Sequence, residues 1–290
     1  MTKPERSGII AKVRAIFDLL RIDLVFGAGI FVVAGELLSL GKFPPLNLTL
    51  FGFLTGFLIS ASANISNDYF DRDVDRINLP ERPLPSGRIS ITQLWTLFLV
   101  FTVAGLATAL ILSPRVFILA LIVWGLAFLY NLKLKETGFF GNLIVACCVA
   151  MTIIIGAVTA GAVNGVVLTF AALAFLFDLG EEIASDAMDV KGDKIRSQRS
   201  IATRKSKTYA VRLSGIIFLV FIALTFLPYL YGWLGFVYLL LIGITDLCLS
   251  YFIFRLFSNI STEDGRTRIR QLYLTWGIFV IVFVVLGFFG

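Results

Sequence analysis

Residues 166–199 read VVLTFAALAFLFDLGEEIASDAMDVKGDKIRSQR. An apolar run from Val166 to Phe177 passes without a break into Asp178, Glu182, Asp186, Asp189 and Asp193. These acids follow one another at steps of 4, 4, 3 and 4, the spacing that stacks side chains on one face of a helix. Carboxylates in such a column repel, and a helix tolerates them only with something cationic against the column. The plainer alternative is a solvated acidic helix end, the usual meaning of a charge run. A second column speaks against it. Asn64, Asn67, Asp68, Asp71 and Asp75 lie within NISNDYFDRDVDRINLPERPLPSG at steps of 3, 1, 3 and 4, at the end of the apolar run Leu48 to Ile65. Two helices therefore leave a hydrophobic phase carrying acidic faces. Oxygen ligands on facing helices, with no His or Cys among them, suit Mg²⁺, which keeps several waters and shares its shell with substrate phosphates. The inference is two half-sites that close on a diphosphate.

The surrounding composition defines the phase those helices leave. Of 290 residues, 58% are hydrophobic and 15% charged, with a mean hydropathy of +0.91. That is too apolar for a soluble domain of this size and implies an all-α polytopic membrane protein. Ile9 to Leu20, interrupted by Lys12, Arg14 and Asp18, reads as an amphipathic helix on the membrane surface, not a cleavable signal. Cys147, Cys148 and Cys248 sit in apolar runs with no metal spacing and read as small core or lipid-facing residues. The absence of histidine removes the usual general base, the usual zinc site and histidine ligation of haem.

Against a bilayer that needs roughly 20 residues per helix, nine spans are expected: 24–40, 48–66, 92–112, 116–132, 139–162, 166–178, 209–231, 233–257 and 271–289. No soluble insert or linker is visible, so residues 1–290 are expected to form one domain. All of the 25 Lys and Arg except Lys42 and Arg115 fall on one side of this layout. The positive-inside rule then puts the N-terminus, both acidic columns and the long loops in the cytoplasm, with the C-terminus outside. The sixth span is short, so its acids begin below headgroup level and face the bundle interior or a water-filled cavity. A substrate's charged head would sit there while its tail stays in hydrocarbon, in a tunnel for which the 28 Phe, 4 Trp and 8 Tyr are candidate lining. Arg21 at the start of the first span, Arg72 in the 2–3 connection, and Lys133 and Lys135 after Tyr130 in LYNLKLK are candidate cations for a diphosphate.

With these motifs on the page, the chain resembles the UbiA superfamily of intramembrane prenyltransferases. NDYFDRDVD matches its N-D-x-x-D-x-x-x-D pattern, DAMDVKGD its D-x-x-D-x-x-G-D motif, and YNLKLK its Tyr-x-x-Lys-x-Lys element. GEEIASDAMDVKGD and NDYFDRDVDRINLPERPLPSG resemble most the archaeal branch that carries a second geranylgeranyl group onto geranylgeranylglyceryl phosphate for ether lipids. Near Arg21 the superfamily often has Arg-Pro and then a polar residue, whereas this chain has Arg21-Ile22-Asp23. The resemblance implies that Asn67, Asp71 and Asp75, with Asp68 beside them, hold Mg²⁺ and diphosphate. Asp186, Asp189 and Asp193 would do so from the other side, and Tyr130, Lys133 and Lys135 would lie near the diphosphate. Asp71, Asp75, Asp189, Asp193 and Lys135 are thereby the expected catalytic set. Helical register adds Glu182 and Asn64 to the substrate site.

The implied reaction ionises geranylgeranyl diphosphate and lets an acceptor hydroxyl attack C1, with Mg²⁺ and cations neutralising the departing pyrophosphate. The acceptor's proton could pass to a carboxylate or to pyrophosphate, and the sequence leaves that open. A glyceryl phosphate acceptor needs cations of its own, for which Lys194, Arg196 and Arg199 are the sequence candidates. The expected partners are the bilayer, a prenyl diphosphate and a lipid-like acceptor, with no nucleic acid and no obligatory protein. Two alternatives stand beside this reading: an aromatic acceptor, and a cation transporter built on intramembrane acids. Both columns lie on one side of the membrane, which fits a transporter's midplane site poorly.

Overall fold

The computed structural model describes residues 8–193, 199–258 and 261–289, and among these thirteen α-helices and one 3₁₀ turn follow in order. They are α1 (Ile9–Leu20), α2 (Ile22–Leu40), α3 (Leu46–Phe70), α4 (Arg72–Asn78), α5 (Ile91–Leu112), α6 (Pro114–Leu132), the 3₁₀ turn Leu134–Thr137 and α7 (Phe139–Ala160). After them come α8 (Gly165–Asp193), α9 (Ile201–Arg204), α10 (Lys207–Thr225), α11 (Leu227–Leu230), α12 (Phe236–Ser258) and α13 (Thr262–Phe289). Eight of the described helices are long and apolar enough to cross a membrane, and the chain is a multi-pass membrane protein. The long helix α8 is the ninth, its final turns being too acidic to count by hydropathy alone.

Local chemistry sets the ends. Ser90 accepts from the backbone of Gln93, whose side chain answers the Ser90 N–H, a reciprocal cap that starts α5. Ser113 caps α6 ahead of Pro114, whose ring is tolerated at the first helical position. Gly41 and Gly161 end α2 and α7 in the left-handed conformation.

The long helices pack in chain order around a ring: α2 on α3, α3 on α5, α5 on α6, and so on to α13, which closes back on α2. α2 also lies directly on α7. Gly35 and Gly156 make that possible, because a Cβ on either would run into backbone of the other helix, at Ile153 and Val32 respectively. Small residues let spanning helices approach where water supplies no hydrophobic drive. The largest buried cluster lies between α7, α8, α10, α12 and α13, with Phe170, Phe218 and Phe221 fully enclosed.

Three boundaries differ from expectation for physical reasons. The sixth span does not stop at Asp178; one helix continues to Asp193 and carries both the apolar run and the acidic column, in keeping with the helical spacing of the acids. The last span begins at Thr262, which turns Arg266, Arg268 and Arg270 from loop residues into a helical face. The seventh breaks at Phe226, with Pro228 opening the short α11. Charge hid the first two, since hydropathy marks only the lipid-facing part of a helix that runs on into water.

Candidate active site

The first acidic column occupies the last turns of α3 and the whole of α4. Asp68, Asp71 and Asp75 point inward at 1%, 5% and 4% exposure, while the neighbouring Asp73 and Arg76 face out. Each inward acid meets a cation brought from elsewhere in the chain. Asp68 Oδ1 accepts from Arg21 at 2.6 Å and lies 3.5 Å from Arg82. Arg82 also reaches Asp75 at 2.7 Å, and Lys135 reaches Asp71 at 2.6 Å. Burial pushes the Asp75 carboxyl above its ordinary value, against the pull of Arg82.

Asparagines complete the frame. Asn67 accepts from Arg21 at 3.0 Å and donates to Asn131 at 3.1 Å, and Asn131 donates in turn to Ala63 O and Ser66. Asn64 donates to Leu20 O at 3.0 Å, pinning the break between α1 and α2. At that break Arg21 takes φ 53°, the one described non-glycine residue in the left-handed region. Strain of that kind persists where the surroundings over-determine it, and here the Asp68 and Asn67 contacts do so.

The second column lies across the cavity on α8. Asp186 accepts from Asn142 of α7 at 3.0 Å, and Asp189 meets Arg266 of α13 at 2.5 Å. α8 also places Asp178, Glu181 and Glu182 on the cavity wall, deeper in the bundle. From this polar region a tunnel of about 480 Å³ runs down between α2, α3, α6, α7, α8 and α13. Tyr130, Lys135 and Asn67 line its mouth, and Val32, Thr55 and Ile155 line its far end. Phe177 and Trp276, stacked at 5.7 Å, form part of its wall.

A wet acidic vestibule leading into a dry tunnel is a site for an amphiphile. The sequence matches the profile of the UbiA prenyltransferase family over residues 28–283. The chain belongs to that family. It is 34% identical over 277 residues to a digeranylgeranylglyceryl phosphate synthase of Thermococcus gammatolerans, covering 95% of this chain and 98% of the relative. A solved digeranylgeranylglyceryl phosphate synthase structure superposes at TM-score 0.71, with 27% identity and coverage of 96% and 99%. A UbiA homologue from Archaeoglobus fulgidus, solved with GPP and Mg²⁺ bound, has the same fold at TM-score 0.69 and 18% identity, over 93% and 99% of the two chains.

In this UbiA prenyltransferase, Arg21, Asn64, Asn67, Tyr130, Lys135 and Glu182 all line the tunnel mouth. Two other sequence candidates stand apart from it. Arg72 lies 4.8 Å over the Tyr69 ring, and Lys133 is exposed. Arg199 is also exposed, but its backbone N–H donates to Glu136 O at 3.1 Å, beside the turn that carries Lys135. The Asp193 side chain, Lys194 and Arg196 fall outside the described residues. Arg82, Asn131, Asn142 and Arg266 were not singled out from sequence. Arg82 and Asn131 lie inside the quoted stretches NDYFDRDVDRINLPERPLPSG and LYNLKLK, but only tertiary packing shows which partner each of the four meets.

Proposed function

We propose that this prenyltransferase moves a geranylgeranyl group from geranylgeranyl diphosphate to the hydroxyl of geranylgeranylglyceryl phosphate, releasing diphosphate. The observation that carries the reading is a cavity whose polar end is lined by Asn67, Glu181, Glu182 and Lys135, the last paired with Asp71 of the first column, and which runs on into an apolar tunnel. The synthase relatives that cover nearly the whole chain support the choice of acceptor. The site draws on residues from the α1–α2 break near one end of the chain to α13 near the other, and residues 1–290 are read as a single working domain. The bias of Lys and Arg toward the motif end supports a cytoplasmic mouth and an extracytoplasmic C-terminus.

The donor set fits Mg²⁺. It is all oxygen and amide, and among the described residues no three carboxylates converge into an all-protein cage. Mg²⁺ favours one or two carboxylates plus substrate phosphates over such a cage. Asn67, Asp71, Asp75, Asp186 and Asp189, with Asp193, would hold it. Bound there, it would offset the negative charge that grows on the departing diphosphate. Lys135 and Arg82 stand beside the same acids and add fixed positive charge where that negative charge develops. The isoprenoid tail lies in the tunnel, whose wall includes the stacked Phe177 and Trp276 rings and keeps water away from the allylic fragment.

Purified protein in nanodiscs, given Mg²⁺ and labelled geranylgeranyl diphosphate, is expected to label geranylgeranylglyceryl phosphate. Label on hydroxybenzoate or homogentisate instead would move the chain to an aromatic acceptor. Divalent-cation uptake into proteoliposomes without any prenyl diphosphate would point to transport.

A further inference from the structure

A second cavity, of about 720 Å³, opens beside the acidic mouth. It shares Arg21, Asp23, Leu24, Glu181 and Tyr273 with the tunnel, so the two are joined at a neck. Its walls come from the α1–α2 break, α8 and the first turns of α13. Two arginines of α13, Arg266 and Arg270, line it from positions i and i+4, which stack on one helix face. Arg268 between them turns away and donates to Gln271 at 2.7 Å.

The cations on the donor side are already engaged. Arg21, Arg82 and Lys135 each hold an acid of the first column. Arg266 and Arg270 meet acids of other elements. Arg266 pairs with Asp189 on the opposite wall, and Arg270 is only loosely held, 3.6 Å from Asp23. Two guanidinium forks one turn apart, facing a water-filled recess, match a phosphomonoester dianion that takes paired hydrogen bonds.

Resting on the proposed acceptor, we infer that this second cavity seats the acceptor's phosphate, gripped by Arg270 and Arg266. The stereochemistry of the substrate suits the layout. In a glycerol phosphate the reactive hydroxyl sits on the carbon next to the one bearing phosphate. A phosphate held in the side cavity therefore places that hydroxyl at the shared neck, beside Glu181 and Tyr273, where the tunnel brings the allylic carbon. Arg21 and Arg82 also line this cavity but already hold acids of the first column, so Arg266 and Arg270 supply the positive charge that the acceptor's phosphate adds a need for.

The test is steady-state kinetics in nanodiscs of phosphatidylcholine alone, which removes anionic headgroups as the source of any effect. Geranylgeranylglyceryl phosphate and geranylgeranyl diphosphate are varied in turn for wild type, Arg270→Gln, Arg270→Lys and Arg268→Gln. Hydrogen bonds between charged groups are worth enough that Arg270→Gln should raise the acceptor KM roughly tenfold or more. The donor KM should stay within about twofold, since the donor's cations are untouched. Arg270→Lys keeps charge but loses the fork, and should recover part of the loss. Arg268→Gln removes the same charge from the same helix and should change neither KM. Unphosphorylated geranylgeranylglycerol should be a poor acceptor for wild type, and Arg270→Gln should narrow that preference. Equal effects from Arg268→Gln, or a donor KM that rises as much as the acceptor KM, overturns the inference. So does an unchanged acceptor KM in Arg270→Gln and Arg266→Gln alike. A wild type that never uses the glyceryl phosphate defeats the acceptor assignment itself, a result that can be told apart from these.

Discussion

Asp68 and Asp71 are one turn apart on the same buried face, yet their surroundings give them different work. Asp68 is 1% exposed and sits between two guanidiniums, so its charge holds Arg21 and Arg82 in place. Asp71 has Lys135 at 2.6 Å, and Lys135 lines the cavity. Asp68→Asn should therefore act mainly through stability. Both arginines are about a quarter exposed, at 25% and 23%. The expected loss is about 1–2 kcal/mol, below the roughly 3–5 kcal/mol of a fully enclosed pair. Asp71→Asn and Asp189→Asn should keep the fold and lose two to three orders of magnitude in kcat, about 3–4 kcal/mol of transition-state stabilisation. Thermal unfolding and kinetics on the same preparations check both halves. A fully active Asp71→Asn, or an Asp68→Asn as stable as wild type, would sink this division. The periodicity of the acids was legible in the sequence because a helix repeats. Of the cations facing them, Arg21 and Lys135 were legible at helix ends, whereas Arg82 and Arg266 were not, because one arrives by a loop and the other by a helix 77 residues away.

At the scale of elements, the connection after α6 shows how a backbone position controls a side chain at a distance. Gly138 ends the turn that bears Lys135, with φ 67° and ψ −117°, a combination nearly reserved for glycine. A Cβ there would run into the Arg199 carbonyl of the connection between α8 and α9. Gly138 thus lets two connections lock together, and Lys135 is held at Asp71 by that lock. Gly138→Ala should cost of order 1–3 kcal/mol in stability. Displacing Lys135 by even a fraction of its reach should lower kcat roughly ten- to a hundredfold. Gly87→Ala is the control: its φ is 74° but open space surrounds it, so activity should survive. Equal loss in both variants would refer the effect to backbone strain alone. The same scale explains what hydropathy could not show. The acidic turns of α8 and the basic turns of α13 are helix by continuity, but neither is apolar enough to be read as part of a span.

At the scale of the molecule, chain order alone gives most helix neighbours, since successive spans pack in sequence around the ring. Lys42 and Arg115 mark the end away from the motifs. A reporter fused after Gly290 should read as extracytoplasmic, and one placed between Ser200 and Lys207 as cytoplasmic. The reverse pattern would put the active site on the wrong face. What the sequence could not show was the course of the tunnel, because six helices contribute to it and none has a distinctive face. Along α6, Tyr130 lines the mouth and Val123 lies seven residues deeper, about 10 Å along the axis. Val123 is nearly buried and belongs to a small cluster with Val32, Ala120 and Ile155 around the deep end. A phenyl ring there fills the lower tunnel while leaving the metal-binding acids, Lys135 and the side cavity as they are. Overfilling a packed site costs about 1–3 kcal/mol, and that cost falls only on donors long enough to reach the ring. Val123→Phe is therefore expected to lower kcat/KM for geranylgeranyl diphosphate roughly tenfold relative to geranyl diphosphate. Competition between the two labelled donors for one acceptor measures the ratio directly. An unchanged ratio would mean that the tail does not run down this tunnel, and the tail would then lie between helices in the bilayer.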